Sequence, residues 1–240
     1  MKLARIVLAI GCLAFLLLAV AGPGSRAGVW QFPFGFQLIR WGFYLGVATC
    51  VLVLVGLAFS RPLNRSGPLL GLALLLGGTA AFLPYYWLSQ AKGLPPIHDV
   101  TTDLDDPPSF VDVLPLRAQA PNPATYGGEK VAEAQRKGYP DITGLELAVP
   151  PAAAFHRSVD AARKMGWEIV ATDSATGRVE ATATTPWFGF KDDVVVRVRS
   201  AAAGSRIDVR SVSRVGGSDI GTNAKRIRSY LAKVRSSAGD

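Results

Sequence analysis

No acidic side chain precedes Asp99, and the 98 residues ahead of it hold three long apolar runs. A carboxylate inside a bilayer costs several kcal/mol, so a stretch this long without Asp or Glu is what a lipid environment selects. The chain therefore divides into a membrane-embedded front part and a water-soluble remainder. Charge follows the same division. Residues 1–91 carry six basic groups (Lys2, Arg5, Arg26, Arg40, Arg61, Arg65) and no acids, whereas residues 92–240 carry 20 basic and 18 acidic groups. Six of the eight net positive charges thus sit in the front part. The basic balance is a topology signal, and no nucleic-acid partner is expected from it.

The apolar runs predict membrane helices over about residues 6–22, 38–59 and 69–88, the last two long enough for the ~20 residues a bilayer needs. Ala19-Val20-Ala21 after a basic start and an apolar stretch also fits a signal-peptidase site, so the first segment reads either as a retained helix or as a removed signal. Lys2, Arg5, Arg61 and Arg65 hold their ends in the cytoplasm on either reading. The third span then delivers residue 92 onward to the outer side. Gly42-xxx-Gly46 and Gly67-xxx-Gly71 offer small faces for close helix packing. No ionisable residue falls mid-span, which argues against a transporter. Cys12 and Cys50 lie inside apolar runs, so the soluble part has neither a disulfide framework nor a thiolate metal site.

Residues 92–150 form a proline-rich connector. Ten of the sixteen prolines fall between residues 92 and 151, which forbids long helices and central strands. Phe110, Val111, Val113, Leu114 and Leu116 give it apolar anchors, so it is expected to drape over the folded domain. Its His98, Asp99, Asp103, Asp105 and Asp106 could hold a hard divalent cation through oxygen. The plainer reading is turns and salt bridges to a basic surface, because the spacing matches no familiar metal loop.

From Pro151 the pattern becomes regular. Phe155, Val159 and Ala162 recur at helical spacing up to Gly166, and alternation predicts strands over about 167–172, 178–184, 193–200 and 206–213. Ala224, Ile227, Leu231 and Val234 mark a final helix, with Asp219 or Ser218 as its N-cap. Residues 151–240 therefore predict an α+β domain: a four-stranded antiparallel sheet with two helices on one face. The other face would carry Glu168, Arg178, Glu180, Arg197, Arg199, Asp208 and Arg210. Arginine forks bind carboxylates and phosphates, so Arg197, Arg199, Arg210 and Arg214, with Asp219 and Asn223 near the start of the last helix, are candidate anion- or partner-binding residues. Neutralisation by the domain's own carboxylates is the competing reading.

The run Asp208-Val-Arg-Ser-Val-Ser-Arg-Val-Gly-Gly-Ser-Asp-Ile-Gly-Thr-Asn-Ala-Lys-Arg-Ile-Arg228 resembles a family known only as domain of unknown function family 1499. So do Ile97-His-Asp-Val-Thr-Thr-Asp103 with Asp106-Pro-Pro108, Gly166-Trp167, Gly177-Arg-Val-Glu-Ala181 and Phe190-Lys-Asp-Asp-Val-Val-Val-Arg197. The resemblance covers residues 95–235 and implies a fold and an envelope or lumen setting, with no established activity. No serine-hydrolase elbow, zinc-protease helix, phosphate loop or dinucleotide fingerprint is present. The expectation is a non-enzymatic, membrane-anchored binding or accessory module in the bacterial inner membrane. Its soluble domain would lie on the extracytoplasmic side, without cofactor, its partner an envelope protein or an anionic envelope ligand. The alternative is a metal-dependent hydrolase using the His98 and aspartate cluster.

Overall fold

A computed structural model describes residues 2–59 and 66–236, so Arg61 and Arg65, two of the orientation charges, lie outside the described residues. The chain forms two compact units. The first takes in the chain up to Lys92 together with Pro186–Gly189, and the second holds Gly93–Thr185 and the chain from Phe190 on.

In the first unit, helices α1 (Lys2–Arg26), α2 (Phe32–Phe59) and α3 (Gly67–Ala91) are each long and apolar enough to cross a membrane. All three extend beyond the apolar runs that predict them, because the flanking residues continue the backbone ladder without needing to be apolar. Their packing uses small residues. A Cβ on Gly42 would stand 2.9 Å from the Ala14 carbonyl of α1, and one on Gly46 would stand 2.5 Å from the Gly77 carbonyl of α3. Both contacts admit only glycine, as close helix crossings in lipid do. A Cβ on Gly67 or Gly71 would meet no atom within 4 Å among the described residues, so that second small face has no close neighbour there. Ala4, Val7, Val53, Leu70 and Ala73 fill the interior between the helices. Leu3, Ile6, Leu16, Leu54, Leu75 and Leu88 point outward and exposed, an arrangement stable in lipid and costly in water.

The second unit is α+β, and its sheet has six strands rather than four. Strands β3 (Glu168–Asp173), β4 (Arg178–Thr184), β5 (Lys191–Ala201) and β6 (Gly204–Ser213) form the antiparallel meander that alternation predicts. The two additional strands, β1 (Asp99–Thr101) and β2 (Leu145–Leu147), come from the connector. Both pair antiparallel with β6, β1 against Arg210–Val212 and β2 against Ser205–Ile207, so they share one edge end to end. Each is three residues long, and very short strands are one way a sheet edge is kept from pairing further.

Three helices belong to this unit: α4 (Glu129–Gly138), α5 (Pro151–Lys164) and α6 (Thr222–Ser236). Pro151 opens α5, and the chain leaves it through Gly166 at φ +72°, a left-handed conformation that favours glycine. Gly177 closes the β3–β4 turn at φ +68°, where a Cβ would come within 2.1 Å of the Val198 carbonyl. One hydrophobic cluster joins Phe155, Val159 and Ala162 of α5 and Ala224, Ile227 and Tyr230 of α6 to alternate residues of the sheet, among them Val179, Val194, Val196, Ile207 and Val209. Phe110 and Val113 of the connector pack with Val195 and Val212, which point the other way from the sheet. The connector thus covers part of the sheet's charged face.

Candidate functional site

Strand register decides which charged residues meet. In β5 and β6, Arg197 lies opposite Asp208, Val195 opposite Arg210, and Asp193 opposite Val212. Paired residues share a face of the sheet. Asp193, Arg197 and Arg199 of β5 and Arg206, Asp208 and Arg210 of β6 therefore share the face that the connector crosses.

Arg210 is the most enclosed. Its Nε donates to Asp99 Oδ1 at 2.9 Å and its NH2 to Asp99 Oδ2 at 2.7 Å. The same guanidinium donates to the carbonyls of Pro108 and Ala124 and lies 5.3 Å from the ring centres of both Phe110 and Tyr126. Only 3% of the Arg210 side chain and 6% of the Asp99 side chain reach solvent. Burial, followed by the charge of Asp99, pushes the neighbouring Tyr126 phenol up to about 12.

Arg214 makes a two-pronged contact with Asp193, both arms at 2.8 Å. Asp193 also accepts from Arg117 at 2.6 Å and from the Thr182 hydroxyl at 2.7 Å. Burial alone would raise the Asp193 carboxyl. Hydrogen bonds from Arg214, Thr182 and Arg117 and the charge of Arg214 outweigh it and hold the group below the usual carboxylate range.

Asp219 and Asn223 form a separate junction. Asp219 accepts from the backbone N–H groups of Gly221 and Asn223, capping α6 as the sequence predicts. Burial raises its carboxyl above the ordinary value against the pull of those two donors. The Asn223 amide donates to the His98 carbonyl and to Ser213 Oγ, each at 3.0 Å, and its oxygen accepts from Ser211 and Arg226. Arg226 continues to Asp192.

Arg197 and Arg199 form an open fork. Each donates its NH1 to Asp106 Oδ2 at 3.0 Å and its NH2 to Asp103 Oδ2 at 3.1 Å. Arg199 also reaches the buried Asp208, which Arg206 holds from the other side. The Asp106 side chain is 67% exposed, in contrast to Asp99. Beside this fork a polar cavity of about 320 Å³ is lined by Thr102, Asp103, Asp105, Gln135, Arg136 and Arg206, among others.

The candidate residues therefore fall into four places: Arg210 with Asp99, Arg214 with Asp193, Asp219 with Asn223 at the start of α6, and Arg197 with Arg199 over Asp103 and Asp106. The first two are enclosed. His98 contributes its carbonyl to Ser213 N and Asn223, and Asp105 is exposed. Among the described residues, no group of three or more His, Cys, Asp or Glu side chains is arranged to hold a metal ion.

Several residues or partnerships of this network escape sequence reasoning, which places Glu180 on the charged face but not its partners. Arg117 sits in a short 3-10 turn and bonds to Asp193, 76 positions away. Glu180, fully buried, accepts from the backbone N–H groups of Val111 and Val113. Gln135 of α4 both accepts from and donates to the backbone of Thr101, extending β1 with a side-chain amide. Only strand register and the path of the connector bring these groups together.

Three helices long and apolar enough to cross a membrane, followed by a connector-covered α+β unit, fit a membrane-associated protein. The family described as "Protein of unknown function (DUF1499)" matches residues 99–234, and the chain belongs to it. A search of curated proteins finds no match to this chain.

Proposed function

We propose that this protein is a membrane-anchored, non-enzymatic binding or accessory module of the cell envelope. Its soluble domain lies on the extracytoplasmic side and takes an anionic partner at Arg197 and Arg199. One observation carries the choice of residues: Asp106, two-thirds exposed, occupies an arginine fork that opens to solvent. An exposed pair contributes only ~0–1 kcal/mol, so an anion can replace Asp106 cheaply. Separating the enclosed Arg210 from Asp99 costs several times more. Two adjacent guanidinium groups that share the same aspartates also suit a carboxylate or phosphate, because each offers planar, directed donors. The basic residues Lys2 and Arg5 at the start of α1 support the assigned side.

The test is in-cell photo-crosslinking of the full-length protein with a photoreactive residue at Asp105, on the exposed segment between the two fork aspartates. The expected product is an adduct to an envelope protein or anionic polymer. That adduct disappears in the Arg197→Glu, Arg199→Glu double variant and strengthens in Asp106→Asn. Adducts confined to the protein itself, or capture indifferent to both changes, overturn the reading.

A further inference from the structure

The helical unit has a second feature, independent of the fork. A groove of about 380 Å³ between α2 and α3 is lined by Phe36, Ile39, Phe43, Tyr44, Pro84, Tyr85, Leu88 and one charged residue, Arg40. Its volume falls in the ~300–1,000 Å³ range of sites that hold small molecules. The walls are apolar and aromatic, so water gains little there and a hydrocarbon chain gains burial.

Arg40 is the informative residue. It lies eight residues inside α2 but only two residues inside the apolar run that starts at residue 38, exposed at the level where a lipid headgroup meets the hydrocarbon. The helical unit contains no Asp or Glu at all. Any counter-charge to Arg40 therefore comes from outside the unit. A guanidinium at the rim of an apolar groove, flanked by tyrosines at both walls, is matched by a phosphate attached to a hydrocarbon chain. We propose that this groove binds an anionic phospholipid, with an acyl chain along Phe36, Phe43 and Leu88 and the headgroup phosphate at Arg40.

The full-length protein, purified in a non-ionic detergent, is offered dioleoylphosphatidylglycerol and dioleoylphosphatidylcholine in equal amounts, and retained lipid is read by native mass spectrometry. One basic side chain near a membrane surface favours an anionic lipid by about fivefold, which sets the expected preference for phosphatidylglycerol. Arg40→Gln is expected to abolish that preference with helix content unchanged by circular dichroism, whereas Arg40→Lys keeps it. Leu88→Trp, which narrows the groove and leaves Arg40 in place, is expected to lower retention of both lipids. Glycerol phosphate, the headgroup without its chains, is expected not to compete. Equal retention of the two lipids by the unaltered protein, persistence of the preference in Arg40→Gln, indifference to Leu88→Trp, or displacement by glycerol phosphate each overturns the proposal.

Discussion

Residue identity alone does not distinguish the arginines of the charged sheet face; enclosure does. Arg210 and Arg199 both hold aspartates of the connector, but the Arg210 side chain is 3% exposed and that of Arg199 is 41% exposed. Removing one member of a buried pair leaves the other charge stranded, at a cost of about 3–5 kcal/mol. Asp99→Asn is therefore expected to lower the unfolding free energy of the soluble domain by that order, measured by denaturant titration. Replacing both partners together, Asp99→Leu with Arg210→Met, is expected to cost much less, because no orphaned charge remains. A single variant as stable as the parent would remove Arg210 from the structural role given to it. Such roles were only partly legible beforehand. Asp219 as the cap of α6 follows from local spacing. The pairing of Arg210 with Asp99 spans 111 positions and follows no local rule. Closeness in sequence groups Arg210 and Arg214 with Asp219 and Asn223 as candidates, whereas separate carboxylate partners, Asp99 for Arg210 and Asp193 for Arg214, hold the two arginines in different places.

Elements differ in how plainly they announce themselves. Strand β5 is long, and Val194, Val196 and Val198 recur on one face, so period-two patterning finds it. Strand β1 is three residues long and buried throughout, so it carries no alternation to find. What holds it is partly a side chain: Gln135 of α4 completes the hydrogen bonding of Thr101 on the edge away from β6. Gln135→Leu would leave a buried N–H and a buried carbonyl unpaired, each costing roughly 1–3 kcal/mol. The expected outcome is faster amide exchange across residues 99–102 in hydrogen–deuterium exchange, with β4 and β5 unchanged. Unchanged protection of that segment would mean that β6 alone secures it. The helices teach the converse lesson. Two glycine pairs look equivalent in sequence, yet only Gly42 and Gly46 meet a neighbouring backbone, because helix rotation is set by all the side chains around the bundle.

At the scale of the whole soluble domain, ion pairing sets the acid limit of stability. Asp193 and Asp103 lie below their ordinary value of 3.8 in the folded protein. In both, burial acts upward and is outweighed: in Asp193 by Arg214, Thr182 and Arg117, in Asp103 by backbone donors and Arg197. A carboxyl depressed by folding contributes its full stabilisation above the unfolded value and loses it as pH falls through the lower folded value. Stability is therefore expected to drop below about pH 4. Asp193→Asn is expected to be less stable at neutral pH and to lose less on acidification. Asp219, raised by burial, works in the opposite sense: it favours the folded state in acid and loses that contribution as pH rises through its folded value. Acid titration monitored by circular dichroism, parent against Asp193→Asn, checks the balance; an identical acid midpoint would take Asp193 out of it.

The shared edge of β6 also bears on timing. Asp99 and Leu145 belong to strands that have no sheet to join until Gly204–Ser213 exists, since both pair with β6. As the chain is made from its N-terminus, the connector emerges first and its partner strand near the end. The segment from Gly93 to Pro150 must then wait, with its apolar anchors uncovered, while more than fifty further residues are synthesised. Contacts that span such separations close slowly and leave intermediates prone to wrong partners.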